Sequence, residues 1–446
     1  MAPRLFALTL TLVGSAALAA PDSAVSEARL RADVERLVAF GTRHTLSVQD
    51  DPRRGIGAAR RWAEAELRKT SRACGNCLEI ALPETMVSGE RIRVPTRLVD
   101  VVAIQRGTER PNEVVIVQGH IDSRVTDVMN ATADAPGAND DGSGTALVLE
   151  AARVLSQRKF PTTIVYAVLS GEEQGLLGGK LLADYAKAQG WTVKAVLNND
   201  IVGGSRGSDG LVDDSHVRVF SEGPRADATD VVRATARRMG GENDSPSRNL
   251  SRFIAKLDGP ALEVRQVWRA DRMGRGGDHL PFQEAGVPAV RFSVAIEDYE
   301  HQHQDVRTDK GVKYGDTADE MDFPYLARVT ALNVKTLAVL AATPVPPGVW
   351  MEGVVSTDTV LRWKPVPGAS RYMVYRRATD ASEWEDRQLL ALHRPGPDAD
   401  GTIIARLPGI RADDWMFGVS TLAQDGRSES PIAAAVPGGA FAPLPK

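Results

Sequence analysis

Five side chains of metal-binding type occur in the order His120, Asp140, Glu173, Asp200, His301, with a further carboxylate, Glu172, beside the third. Most of them follow directly on an apolar run of strand length. Two histidines and three carboxylates suit a pair of borderline-hard divalent ions. A free carboxylate next to such a pair is what water-activating hydrolysis needs.

Each piece is weak alone. The run Val114 to Gln118 leads through Gly119 to His120, with Asp122 two residues on, where it can orient the imidazole. A single histidine after a strand is more often structural. The segment Pro136-Gly137-Ala138-Asn139-Asp140-Asp141-Gly142-Ser143-Gly144 enters an apolar helix that Ser143 could cap. Glycine-rich loops also cradle phosphate, but this one has no Gly-Lys-Ser/Thr and its acidic pair would repel an anion. Glu172 and Glu173 follow the strand Ile164 to Leu169. Adjacent carboxylates repel unless a cation or proton lies between them, and neighbours in sequence point different ways. One can bind metal while the other faces water. Asp200 ends the run Val196 to Asn199, and the last group is Tyr299-Glu300-His301-Gln302-His303-Gln304-Asp305. The chain has only 7 histidines, so two within three residues carry weight.

The elements that must position these groups read as alternating strand and helix. Helices are expected over 24 to 40 and from Ile56 to Leu67, where apolar residues recur at helical spacing. Strands are expected at Leu98 to Ile104, Val114 to Gln118, Thr162 to Leu169, Val193 to Leu197 and Val287 to Val294. Between and after them lie helices at Gly144 to Leu155, Leu176 to Ala188 and Phe323 to Ala342. This pattern implies an α/β fold, with a mixed central sheet covered by helices on both faces. In such sheets the ligand crevice lies at the carboxyl ends of the strands, where His120 falls.

Three prolines and a glycine in residues 343–348 mark a stiff linker. Beyond it, residues 349–446 alternate as short strands, at Val360 to Trp363, Tyr372 to Arg376 and Trp415 to Val419, which suggests an all-β sandwich. This stretch resembles a fibronectin type III domain through Trp363, Tyr372 and the Trp415/Phe417/Val419 set. Those are core positions, so the likeness bears on fold and not on activity.

At 446 residues and 43% hydrophobic the chain can fill a sizeable core in two or more domains. A net charge of −4 with no basic stripe argues against nucleic acid as a partner. Residues 1–19 have a charged start at Arg4, a short apolar run from Leu5 to Val13 and small residues ending Ala17-Leu18-Ala19, the pattern of a signal peptide. No later stretch has 18 consecutive apolar residues, so no membrane span is expected in the mature, exported chain, whether periplasmic or secreted. In that setting Cys74 and Cys77 are expected to form a local structural disulfide.

Taken together, Gly-His-Ile-Asp-Ser, Pro-Gly-Ala-Asn-Asp-Asp-Gly-Ser-Gly, Gly-Glu-Glu-Gln-Gly-Leu-Leu-Gly, Asn-Asn-Asp and Gly-Asp-His-Leu-Pro-Phe resemble the M28 family of co-catalytic zinc peptidases. The resemblance covers about residues 95 to 342, within a peptidase domain over residues 20–342. It implies two Zn2+ ions. His120 and Asp200 would be terminal ligands of one, Glu173 and His301 of the other, and Asp140 would bridge them. Glu172 would be the general base on a water between the ions, Asp122 the partner of His120, and the Asp140–Asp141 peptide bond cis. His301 fits the family pattern of a His four residues before an Asp, here Asp305, with His303 as its competitor. His279 would lie beside the site or on the substrate loop, unless Asp278 simply caps a helix. The implied activity is an aminopeptidase acting on peptide substrates. Alternatives are a carboxypeptidase using Arg269, Arg272 and Arg275 to hold an acidic C-terminal residue, glutaminyl cyclisation, and a metal-free surface-binding ectodomain. Surface or polymer binding by the C-terminal domain stays open beside any of these.

Overall fold

The computed structural model describes residues 20–222, 230, 234, 244–353, 355–389 and 401–437. The expected signal peptide therefore lies outside the described residues. Strands β1 (Glu79–Ala81), β2 (Glu84–Gly89), β3 (Ile92–Val99), β4 (Val101–Gln105), β5 (Arg110–His120), β6 (Thr162–Leu169), β7 (Thr192–Asn199), β8 (His216–Phe220), β9 (Glu263–Val267) and β10 (Ala289–Val294) belong to the first part of the chain. Eight of them form one sheet in the order β1-β4-β6-β5-β7-β10-β8-β9, while β2 and β3 pair as a separate ribbon. The four central strands β6, β5, β7 and β10 run parallel, and the flanking pairs β4/β6 and β10/β8 are antiparallel. The sheet is thus mixed, and the four parallel strands end on one side.

Helices α1 (Glu27–Val38), α2 (Gly55–Ala73), α3 (Gly144–Leu155), α4 (Leu177–Ala188), α5 (Pro246–Ala255), α6 (Leu280–Glu284) and α7 (Phe323–Ala342) cover it. Side chains alternate across a strand, and the core divides accordingly. Val115, Val117, Ile164, Tyr166, Val168 and Leu197 pack with residues of α1, α2, α3 and α7. Val114, Ile116, Val165, Ala167, Leu169 and Val196 face the other way, onto Leu182 of α4 and Phe282 of α6. Each such buried aliphatic side chain contributes roughly 1.5–3 kcal/mol. This is why the central strands read as continuous apolar runs and not as alternating ones. Helix α7 is long and apolar enough to cross a membrane by length and composition, but its buried residues, from Phe323 to Ala341, belong to this core. It starts at Asp322, whose carboxylate accepts from the Tyr325 amide at 2.9 Å.

The expected single strand over Leu98 to Ile104 is interrupted. Asp100 is fully buried and accepts from the Ser170 amide at 2.9 Å. Before it, Val99 pairs with Glu84 in the ribbon; after it, Val101 pairs with Val168 in the main sheet. Cys74 and Cys77 are joined by a disulfide just after α2.

The later strands are β11 (Arg307–Asp309), β12 (Val312–Tyr314), β13 (Val349–Glu352), β14 (Thr359–Trp363), β15 (Arg371–Ala378), β16 (Asp386–Leu389), β17 (Ile403–Leu407), β18 (Trp415–Leu422), β19 (Ala433–Ala434) and β20 (Val436–Pro437). The last eight make two four-stranded sheets, β17-β14-β13-β20 and β16-β15-β18-β19. Val349, Leu361 and Trp363 of the first pack against Tyr372, Val374, Phe417 and Val419 of the second. The second sheet also docks on α5. Asp244 takes Arg252 of α5 at 2.9 Å and Arg377 of β15 at 2.7 Å, and Trp384 donates to Asn249 at 3.1 Å.

Candidate metal centre

His120 ends β5, Glu172 and Glu173 lie in the turn after β6, and Asp200 follows β7, so three neighbouring parallel strands deliver their side chains to one crevice. Asp140 reaches it from the loop before α3. Within this crevice His120, Glu172 and Asp200 form one group, and Asp140, Glu173 and His303 another. In each group the three ligand atoms lie within 4.8 Å of one another. Asp140 sits between them. Its Oδ1 is 3.2 Å from His120 Nε2 and its Oδ2 is 2.9 Å from His303 Nε2. The peptide bond between Asp140 and Asp141 is cis.

The histidine that the structure brings beside Asp140 and Glu173 is His303 and not the expected His301. His303 Nε2 is also 3.0 Å from Glu173 Oε1. His301 points away, with Nδ1 2.9 Å from Asp298 and Nε2 3.9 Å from Glu320. It lines a cavity of about 360 Å³ that also reaches Asp140 and Asp316. The reason is the turn over residues 300–303. Gln302 N–H bonds back to Asp298 at 3.1 Å, and His303 adopts a left-handed φ of 56°, which turns its ring inward. Spacing to Asp305 carries no information about this turn.

Asp122 acts on more than its histidine. The His120 ring is held by the main-chain oxygen of Asp122, 3.0 Å from Nδ1, while the nearer carboxylate oxygen is 3.6 Å away. The Asp122 carboxylate instead accepts the amides of Gly171, Glu172 and Glu173 at 2.9, 3.3 and 3.1 Å, and the Thr45 hydroxyl at 3.1 Å. It therefore shapes the turn that carries both glutamates.

Several other positioning groups have little trace in the sequence. Asp141 is fully buried and accepts from the amides of His120 at 3.0 Å, Gly144 at 2.9 Å and Ile201 at 3.3 Å. It, and not Ser143, caps α3. The Ser143 hydroxyl donates to Asn139 O at 2.6 Å and accepts from Val202 N at 3.0 Å. Gly144 must be glycine here, since a Cβ would lie 2.2 Å from Asn199 O. Asp316 receives the Asn139 and Asp140 amides at 2.8 and 2.7 Å, and burial lifts its carboxyl to about 7. Arg43, with no exposed surface, donates to Leu37 O, Ile121 O, Pro136 O and Gly137 O. Arg291 pairs with Asp200 at 2.7 Å. Asp141, Ser143 and Gly144 lie in the acidic, glycine-rich motif, and Arg291 shows as a charge inside the apolar run Ala289-Val290-Arg291-Phe292, whereas Arg43 and Asp316 leave no hint.

His279 is buried, belongs to neither donor group, and has Nε2 2.7 Å from Ala270 O. Burial pushes its pKa down to about 4. Asp278 does cap a helix, but it is α4, through the Gly179 amide at 3.0 Å. Of the three arginines, Arg269 is exposed. Arg272 and Arg275 converge with Arg218 on Glu297 at 2.9, 3.1 and 2.6 Å.

The electrostatics favour a cation. Burial alone would discharge both histidines, but the carboxylates around them outweigh it, raising His120 well above its ordinary range and His303 to about 10. Desolvation, then the charges of Asp200 and Glu173, pushes Glu172 well above the usual carboxylate range. The donors fit a metal pair: oxygen and imidazole nitrogen suit zinc, and two of them, His120 Nε2 and Glu173 Oε1, are buried and make no aligned hydrogen bond among the described residues despite the close approach of Asp140 and His303.

The sequence pattern of peptidase family M28 matches residues 100–325, the segment that contains all of these side chains. The chain belongs to peptidase family M28. It is 43% identical over 429 residues to a probable zinc metalloprotease of Pyricularia oryzae, covering 93% of this chain and 83% of that one. It is 40% identical over 422 residues to one of Leptosphaeria maculans, covering 93% and 95%. In fold, this M28 peptidase is similar to the LapA aminopeptidase of Legionella pneumophila, with a TM-score of 0.52, 18% identity and 76% and 77% of the chains covered. LapB of the same organism gives a TM-score of 0.53 at 18% identity, over 73% and 75%.

Proposed function

We propose that this hydrolase is an exported zinc exopeptidase that releases N-terminal residues from peptides. The observation that carries the reading is Asp140, set between two groups of donors with one oxygen toward each histidine. His120 and Asp200 would hold one zinc, Glu173 and His303 the other, with Asp140 common to both. Bound there, the ions supply Lewis acidity and an acidified water.

The chain's own residues do the rest. Glu172 is the general base. It lies with His120 and Asp200 and its carboxyl is only partly open to solvent, a place from which it can take a proton and return it to the leaving amine. Asp122 holds Glu172 and Glu173 in register by three amide bonds. Carboxylates dominate the crevice, an environment that favours a substrate's free ammonium group. A second reading, a carboxypeptidase, is favoured by one observation: Arg218, Arg272 and Arg275 share the single carboxylate of Glu297, leaving a cationic surplus beside the site.

A panel of aminoacyl-anilides against N-blocked peptides with a free C-terminus, each with and without chelator, separates the two. Cleavage of the blocked peptides alone would overturn the aminopeptidase reading, and chelator-insensitive cleavage the zinc mechanism. The signal-peptide pattern of residues 1–19 supports export, and the Trp363–Tyr372 ring contact at 5.4 Å within the two-sheet core supports a fibronectin type III-like domain.

A further inference from the structure

Arg291 stands in the middle of β10, a strand buried along its whole length. Its side chain is 1% exposed, and a guanidinium in such a place needs a strong reason. Its one paired acid is Asp200, with Nη2 2.7 Å from Oδ1. Nη1 donates to Gly276 O, while Nε and Nη2 are buried without an aligned hydrogen-bond acceptor among the described residues, so the contact with Asp200 is an ion pair. The backbone closes tightly over the pair. A Cβ on Gly277 would lie 3.1 Å from Arg291 Nη1 and 3.1 Å from Asp200 Oδ2. The carboxylate on the other side of the crevice is treated differently. Glu173 has Arg124 only at 3.6 Å, and that guanidinium is 17% exposed.

We propose that Arg291 is a positioning residue that makes the two metal sites unequal. This rests on the two-zinc reading above. Asp200 shares its charge with a desolvated cation, so an ion held by His120 and Asp200 meets a weakened donor and a nearby positive charge. An ion held by Glu173 and His303 meets neither to the same degree. Two effects compete. Arg291 fixes the orientation of Asp200, which aids binding, and repels a dication, which opposes it. Ordering one short side chain is a small term, whereas a unit charge facing a dication in a desolvated crevice is a large one. Repulsion wins. The site next to Arg291 is the weaker, more exchangeable one, and its ion the stronger Lewis acid.

The test is a titration of metal-free protein with Zn2+ against a competing chelator, reading stoichiometry and both affinities. Wild type should bind two ions in unequal steps. Arg291→Gln, which keeps a polar side chain beside Asp200 but not the charge, should tighten the weaker step by roughly tenfold or more and leave the tighter one unchanged. Arg291→Lys, which keeps the charge, should stay near wild type. Equal steps in wild type, or an unmoved weak step in Arg291→Gln, would overturn the inference. Fewer than two ions in wild type would instead remove the two-zinc reading on which it stands. Should Arg291→Gln fail to fold, single-site variants decide. The ion retained by His303→Ala must bind roughly tenfold or more weakly than the ion retained by His120→Ala, and equal affinities would refute the proposal.

Discussion

Replacing Asp122 by asparagine separates two roles that sequence alone merges. If its carboxylate mainly oriented His120, the change would strike metal binding first. The geometry says otherwise, because the ring is held by the Asp122 main-chain oxygen, which asparagine keeps. The carboxylate serves the turn after β6. Oδ1 accepts from Gly171 and Glu172, and Oδ2 from Glu173 and Thr45. An amide offers one oxygen and one NH2 group. With the NH2 at the Oδ2 position, the Thr45 hydroxyl can reverse and accept, but the Glu173 amide is stranded. An unsatisfied buried donor costs about 1–3 kcal/mol, and the two surviving bonds each lose about 1 kcal/mol when their acceptor loses its charge. We therefore expect Asp122→Asn to lose ~3–5 kcal/mol of stability. If about half of that falls on the placement of Glu172 and Glu173, kcat/KM drops roughly 10- to 100-fold. Urea unfolding gives the first quantity, and aminoacyl-anilide kinetics at saturating zinc the second. A variant as stable as wild type that loses zinc would refute the reasoning and return Asp122 to the role of histidine partner.

Glu172→Gln should retain zinc and fold normally while turnover falls by roughly 10²- to 10⁴-fold; residual activity near wild type would remove Glu172 as the base. His303→Ala should lower the zinc content measured by elemental analysis, whereas His301→Ala should leave it intact, and the reverse pattern would restore the sequence expectation. Burial brings Lys194 down from an ordinary 10.5 to about 7. The folded value lies below the unfolded one, so unfolding takes up a proton between them and stability rises with pH across about 7 to 10. The stability of wild type relative to Lys194→Met should therefore increase from pH 7 to 10, and a flat difference would contradict it. Asp244→Ala strands the buried guanidiniums of Arg252 and Arg377 and should cost about 3–5 kcal/mol in chemical denaturation; a change under ~1 kcal/mol would mean the C-terminal sheets are not tied to α5 through this residue.

What was legible in the sequence follows a simple physical line. The central strands are buried on both faces, so their apolar runs announce them, and Thr162–Leu169, Gly144–Leu155 and Phe323–Ala342 have the same bounds in the structure as in the reading. Side chains that follow such runs are equally visible, and the structure brings His120, Glu172, Glu173 and Asp200 together with Asp140, whose glycine-rich, acidic segment marks it instead. Groups placed by irregular backbone are not visible. His303 replaces His301 because of one left-handed residue in a tight turn. Arg43 and Asp316 come from loops far away in sequence and work through main-chain atoms, which leave no pattern. Strands β8 and β9 and helix α5 lie in the stretch from 201 to 290, where the strands are short and α5 buries polar residues such as Asn249 and Arg252, so no apolar run marks them. The break at Asp100 was hidden inside an apolar run because a buried carboxylate there serves the turn at Ser170 rather than the solvent.

In the proposed function Asp140 joins two zinc sites in one hydrolytic centre. The most direct measurement is zinc content per chain in parallel with peptide hydrolysis, as metal is withdrawn by chelator and then restored. The expected result is two zinc ions per chain, activity that vanishes as they leave, recovery on adding zinc back, and an Asp140→Asn variant that loses both ions together. One ion per chain at full activity, or hydrolysis that persists after complete removal of metal, would contradict it.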